Sequence, residues 1–488
     1  MFESIKKMLY NDTNLRVTEK ILPSLDELAK VLRTDKDALE AFERSYQVSS
    51  LSQLDENDIF SMNAKDAALL AREKAEEKDA PLPDLSDIKH RIVQELLSRT
   101  SCVYVYDGTS QKIEQLTFED VVPVSLEEIS VLPEDLRPQL TGSYMQTDIN
   151  CESWKQLAMG YKMYMDETDT KKKQYLYAHF RQGLDILDLD PVLYAMLGMN
   201  QNAMGYWLPK IVPAAEKSLF KIPATRIVKV PITLLQLSRK DYNRLTRTTL
   251  DIVDAWARKV FQLNEDSEYF IKTGTYSSKF DFRNAFVHNP LEVREIGQYL
   301  LFIQYQAQMK AGPLVTPSIY GISTTNEWVV REFIRDKEDN PKIYKGMPLH
   351  TEYRAFVDFD TNELLGMRPY WDPDIMKQRF SFVDDAYSPH NLHDCAIFCA
   401  HEPTLMRRYW ENEDKISNAL KKIIPKVDLS GQWSVDIMQN GEDFWIIDMA
   451  WAQDSALNEC IPKSKRKYME ENWIPRIPAI SELSKIKE

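Results

Sequence analysis

Residues 433–458, W-S-V-D-I-M-Q-N-G-E-D-F-W-I-I-D-M-A-W-A-Q-D-S-A-L-N, decide the fold. Two apolar runs flank Gln439-Asn440-Gly441-Glu442, and Asn-Gly between such runs is the strongest short-range hairpin signal. Each run carries one acid in an apolar setting, Asp436 in V-D-I and Asp448 in I-I-D-M. Residues on the two arms of a hairpin lie roughly opposite one another, so the two carboxylates are expected to converge within a few ångströms. Like charges held close in an apolar setting need a cation between them or a shared proton. Hard oxygen ligands favour magnesium. The plainer alternative makes both acids polar ends of ordinary strands.

Around this hairpin lies a chain of 488 residues, enough for two to four domains and a large core. A hydrophobic content of 43% with 28% charged residues is that of an ordinary globular protein. The net charge of −14 disfavours nonspecific nucleic-acid binding, which needs a positive field. The first residues, M-F-E-S-I-K-K-M-L-Y, lack an apolar signal core, and no run reaches the length of a membrane span. Cys102, Cys151, Cys395, Cys399 and Cys460 are scattered without a C-x-x-C pair, which predicts reduced thiols in the cytoplasm. The seven histidines show no metal-ligand spacing, and no G-x-x-x-x-G-K-[ST] phosphate loop is present.

Residues 1–220 read as mostly helical and give no sign of their role. Ser24-Leu25-Asp26-Glu27 is a capping box, residues 64–78 are strong helix formers, and a helix restarts over 88–97 after a Pro-rich break. C-V-Y-V-Y at 102–106 predicts a strand, and further helices are expected over 154–165 and 173–187. Asp185, Asp188 and Asp190 fall at helical spacing without an EF-hand glycine, so they read as a solvated face.

From about residue 221 short β-branched and aromatic runs alternate with amphipathic helices. T-R-I-V-K-V at 225–230 is a strand, and Ser238 then caps a helix carrying Tyr242, Leu245, Leu250, Val253 and Trp256 on one face. E-Y-F-I-K-T at 268–273 leads into the loop Gly274–Asp281, with Lys272 and Lys279 supplying cations beside backbone amides, a setting suited to phosphate oxygens. Lys272 lies within an apolar strand, where an ammonium needs an anionic partner. W-V-V-R-E-F-I at 328–334 is a strand whose end offers backbone groups to a base edge. Residues 352–359 turn at Thr361-Asn362 into 364–371, putting Arg354 and Arg368 on strands. Two lysines and two arginines opposed to two carboxylates are the arrangement expected around a metal-bound triphosphate.

This order of parts resembles the ATP-grasp superfamily, and more narrowly the eukaryotic cell-division-cycle ATP-grasp family, whose members help assemble translation initiation factor two. The resemblance covers about residues 222–460. I-P-A-T-R-I-V-K-V-P looks like the family's first strand, and F-I-K-T-G-T-Y-S-S-K-F-D like its lysine strand and loop. V-V-R-E-F-I looks like the adenine hinge, E-Y-R-A-F-V with L-L-G-M-R like the arginine strands, and D-I-M-Q-N-G-E-D-F-W-I-I-D like the metal-binding hairpin. The resemblance implies an α+β ATP-grasp fold gripping ATP between antiparallel sheets. Its subdomains would span 221–335 and 336–488, after the helical region 1–220. It implies ATP contacts from Lys272, Ser277, Ser278, Lys279, Asp281, Arg331, Glu332, Phe333, Ile334, Glu352, Arg354 and Arg368. Arg354 and Arg368 would also act in catalysis, and Asp436, Asp448 and Asp454 would hold Mg2+. Where the family has asparagine two residues beyond the last-strand aspartate, this chain has Ala450, leaving Asp454 or Asn458 as the nearest replacement.

Three functions follow as expectations. The leading one is a magnesium- and ATP-dependent carboxylate–amine ligase working through an acyl phosphate and releasing ADP and phosphate. The second is an ATP-binding assembly factor for a protein partner, without turnover; Ala450 and the large N-terminal region favour it. The third, a nucleotidyl-transferring nucleic-acid ligase, needs glycine three positions after its lysine, whereas Gly274 comes two after Lys272.

Overall fold

The short β-branched runs become strands, and amphipathic helices cover one face of each sheet they form. The computed structural model of the chain describes residues 86–98, 100, 103–108, 111–114, 200–238, 245–314, 325–380 and 389–468. The strands are β1 (Val103–Tyr106), β2 (Gln111–Glu114), β3 (Phe220–Lys221), β4 (Thr225–Lys229), β5 (Tyr269–Thr273), β6 (Phe286–Val287) and β7 (Glu327–Glu332). They continue as β8 (Lys342–Ile343), β9 (Met347–Pro348), β10 (Glu352–Asp358), β11 (Glu363–Pro369), β12 (Gln432–Asn440) and β13 (Asp443–Trp451). The main helices are α1 (Ser86–Ser98), α2 (Met204–Ala215), α3 (Arg247–Phe261), α4 (Ile296–Leu314) and α5 (Pro389–Ile423). The capping box at Ser24, the helices expected over 64–78, 154–165 and 173–187, and the acids Asp185, Asp188 and Asp190 lie outside the described residues.

The architecture is α+β. One sheet has the order β2-β1-β4-β7-β5-β6 and is antiparallel throughout. The other has the order β11-β10-β12-β13-β3, antiparallel except for the short β3, which runs parallel to β13. Residues before 221 are woven into both sheets: the β1–β2 hairpin pairs with β4 in the first, and β3 edges the second.

Side-chain alternation decides which face each sheet buries. Val228, Ile271, Trp328 and Val330 pack on α3 and α4 through Val253, Trp256 and Leu300, with the Trp256 and Trp328 rings edge-to-face at 5.6 Å. In the second sheet Tyr353, Trp433, Val435 and Ile437 meet Trp207 of α2 and Tyr409 and Leu420 of α5. Their neighbours Glu352, Arg354, Asp436 and Met438 therefore point the opposite way.

Three local expectations change. Ser238 does not open α3: its hydroxyl donates to Leu235 O at 2.6 Å, closing the short preceding helix Ile232–Leu237. Thr246 takes the cap, its hydroxyl accepting from Thr249 N, so Leu245 precedes the helix. The β12–β13 turn is centred on Gly441-Glu442, because Asn440 pairs with Asp443 and Gly441 has φ of 64°. Glycine at the first central position is the II′ pattern, one residue along from an Asn-Gly turn. Finally, β7 ends at Glu332, short of Phe333 and Ile334.

Candidate functional site

The shifted turn would place Asp436 opposite Ile447. A β-bulge prevents this: Asp436 pairs with Asp448 and Ile437 with Ile446, leaving Ile447 as the extra residue. Such a bulge re-aims the side chain beside it. The two acids thus lie opposite one another, and the register extends across the sheet as the row Arg368–Arg354–Asp436–Asp448.

Each of the two acids is paired with a basic side chain. Arg354 holds Asp436 with two near-parallel bonds, Nε to Oδ1 at 2.7 Å and Nη2 to Oδ2 at 2.6 Å. Burial works against the Arg354 charge, but Asp436 more than compensates and holds it above the usual arginine range. Lys272, reaching across from β5 in the first sheet, donates to Asp448 at 3.3 and 3.2 Å. Lys272 is 2% exposed, and burial lowers its pKa against the pull of Asp448.

Between the sheets lies a cleft of about 140 Å³. One end is apolar, walled by Phe270, Phe282, Phe333, Met347 and Pro348, with Phe286 and Phe333 rings 4.3 Å apart behind it. The other end is charged, lined by Lys272, Lys279, Arg331, Glu352, Asp436 and Asp448. Arg331 donates through Nη1 to the bulged Ile447 O at 2.6 Å and through Nε to Thr225 Oγ1 at 3.1 Å, while its buried Nη2 has no hydrogen-bond partner. Burial brings its pKa down to about 10. Lys279 donates to the Tyr370 hydroxyl and sits 4.0 Å from the centre of that ring. Burial opposes its charge, yet Tyr370, Glu352 and Asp436 together raise its pKa. Burial pushes Glu352 up to about 7, and its Oε2 is buried without a partner. A site holding one buried donor atom, Arg331 Nη2, without a hydrogen bond beside two lysines fits a ligand bearing anionic oxygens.

Of the residues expected from sequence, Lys272, Ser277, Lys279, Arg331, Glu332, Phe333, Ile334, Glu352, Asp436 and Asp448 all line this cleft. The amides of Glu332 and Phe333, expected to face a base edge, are bonded to Ala224 O at 2.8 Å and Glu268 O at 3.1 Å. Ser278 turns away in a left-handed conformation, its hydroxyl donating to Gln306 Oε1 at 2.8 Å. Asp281 is bound to Lys345 at 2.8 Å. Arg354 stands behind Asp436, stacked 4.4 Å from the Tyr370 ring centre. Arg368 is half-exposed and held by Asp372 at 2.7 Å, outside the cleft wall. Asp454 also lies outside it, accepting from Asn202 Nδ2 at 2.8 Å; Asn458 donates to Gln453 O.

The sequence reading missed the aromatic platform Tyr370-Trp371, although P-Y-W directly follows the arginine strand. It also missed the tie from α2, where Gly205 N donates to the buried Glu327 carboxylate at 2.9 Å and Met204 N to Gly274 O at 3.0 Å. Asp336, Glu338 and His350 bring potential metal-ligating atoms within 4.8 Å of one another. Those groups are committed elsewhere: Asp336 and His350 to Asn340, and Glu338 to Arg408.

No family model matches the chain, and no curated protein does. Two solved structures it is similar to are both Cdc123 from Schizosaccharomyces pombe. The C-terminally truncated form is 14% identical, with 57% of this chain and 95% of that chain covered at a TM-score of 0.31. The other Cdc123 structure is 15% identical, with 55% and 93% covered, also at 0.31. No helix among the described residues is long and apolar enough to cross a membrane.

Proposed function

We propose that the cleft binds ATP with magnesium in the ATP-grasp manner, and that the chain acts as a nucleotide-bound assembly factor for a protein partner. The observation that carries the nucleotide reading is the buried Arg331, whose Nη2 lacks a partner while Lys272 and Lys279 flank it in one cleft. Two buried cations, Lys272 and Arg331, and the part-buried Lys279 near an apolar, phenylalanine-walled end suit a phosphate chain attached to a base. Asp448, the looser-held and more exposed of the two paired acids, would hold magnesium, which would neutralise phosphate charge. The base edge would fall to Ile334, because the neighbouring hinge amides are already bonded.

Binding without turnover is favoured over the ligase reading by three features. Arg354 is locked on Asp436, Arg368 is bonded to Asp372 away from the cleft, and Ala450 stands where the family pattern has a third ligand. A transferred phosphoryl group would lack the arginines that stabilise its developing charge. The test is ADP release from purified protein with magnesium and ATP, alone and with carboxylate and amine acceptors. No turnover in either case, together with nucleotide-dependent stabilisation, is expected; acceptor-dependent ADP release would establish the ligase instead.

A further inference from the structure

We infer that the cation site of this cleft is created by the nucleotide: Asp448 becomes a metal ligand only when the ligand's phosphates draw Lys272 away from it. The inference rests on the nucleotide reading above and specifies how that site is regulated.

Both acids that a divalent cation would use carry a basic side chain: Arg354 on Asp436 and Lys272 on Asp448. With both pairs closed, a cation meets no uncompensated carboxylate on this row and is repelled by two positive charges. The two pairs are not equal. Arg354–Asp436 is bidentate, its side chains are 13% and 8% exposed, and Tyr370 stacks on the guanidinium. Lys272–Asp448 is longer, at 3.2 and 3.3 Å, and the Asp448 side chain is 39% exposed. The second pair is therefore the one a ligand can open.

A phosphate oxygen gives Lys272 a replacement anion inside the same cleft, so its buried charge stays compensated throughout the exchange. The lone acid that remains, Asp448, lies beside the phosphates and is far more exposed than Asp436. It can then share a cation with them. Asp436 stays with its arginine, so one cation per chain is expected, not two. By linkage, each ligand tightens the binding of the other.

The test uses Mn2+ as the probe, read by loss of the free-ion electron paramagnetic resonance signal, on the full chain. Without nucleotide, the parent protein should show no binding in the cleft, whereas Lys272→Met should bind one Mn2+ about tenfold or more tightly than the parent, a coupling of ordinary size. Adding Asp448→Asn to Lys272→Met should abolish that gain. Gain of an equal signal in the double variant would assign it to surface carboxylates and overturn the inference. So would strong Mn2+ binding by the nucleotide-free parent, or two ions per chain in Lys272→Met. Should Lys272→Met fail to fold, the parent alone decides: nucleotide affinity must rise about tenfold with Mn2+, and equal affinity with and without the ion overturns the inference. The nucleotide reading fails separately, if the parent's melting curve ignores ATP with or without the ion while Lys272→Met still gains its Mn2+ site.

Discussion

Arg354 and Asp436 face each other across neighbouring strands and close two hydrogen bonds of 2.7 and 2.6 Å, between side chains only 13% and 8% exposed. A pair so placed is costly to break on one side, because the survivor is a buried charge. Arg354→Met is expected to destabilise the fold by about 3–5 kcal/mol, whereas Arg354→Met with Asp436→Leu should recover most of that loss. Urea unfolding midpoints of the three proteins check this. A loss under about 1 kcal/mol in the single variant would place the pair among weak, solvated bridges.

Magnesium–ATP should raise the melting midpoint, since a ligand at about 100 times its Kd adds roughly 2.7 kcal/mol to the native state. Lys272→Ala should lose most of that response, because Lys272 lines the cleft. Arg368→Ala should keep it, because Arg368 is bonded to Asp372 outside the cleft wall. The comparison is made by thermal melting with and without the nucleotide. An Arg368→Ala protein that lost the response as fully as Lys272→Ala would put the arginine back among the ATP contacts.

The hairpin, the lysine strand and the two arginine strands were legible because each is a short run with period-two alternation and a turn residue at its end. What the sequence hid was pairing between distant strands. Nothing in I-I-D-M announces that Ile447 bulges, yet that bulge sets Asp448 opposite Asp436 and offers a carbonyl to Arg331. The apolar strand around Lys272 calls for an anionic partner, and Asp448, which supplies one, comes from a strand of the other sheet that no local pattern links to it. Helix α2 was obscured by Pro209 and Pro213, and α5 carries Pro403. Proline inside a helix reads as a break, and packing overrides that local preference here. The apolar end of the cleft draws Phe282, Phe333 and Met347 from three separate segments, so no local pattern marks it.

Asp254 gives stability a pH dependence that an ordinary surface acid would not. It is buried between α3 and α4, accepting from Gln298 N at 2.9 Å, and burial raises its pKa from 3.8 to about 7. The raised folded value means the native state binds the proton more tightly than the unfolded chain. Its contribution is therefore complete below pH 3.8 and is lost as pH rises towards about 7. The buried Gln298 Oε1, which has no partner, can accept the Asp254 proton once that amide rotates. Asp254→Asn should flatten this part of the urea midpoint against pH between about 4 and 7. An unchanged slope in the variant would assign the titration to another group, Glu352 being the nearest in pKa.

Gly297 supplies the most local of these tests. It starts α4 where the helix crosses α3, and a Cβ there would come within 2.6 Å of Val253 O and 2.8 Å of Asp254 Cα. Both atoms belong to the α3 backbone, so no side chain can rotate aside to relieve the clash; the two helices must separate. That separation would loosen the packing of Val253 and Trp256 against the first sheet and lengthen the Asp254 bond to Gln298 N. Gly297→Ala should thus destabilise the protein by about 1–3 kcal/mol, the usual range for overpacking a filled core. The cleft lies on the opposite face of that sheet, so the rise in melting midpoint produced by magnesium–ATP should keep its parental size. Urea unfolding measures the first effect and nucleotide-dependent melting the second. A variant as stable as the parent would mean that α3 and α4 do not approach this closely in solution.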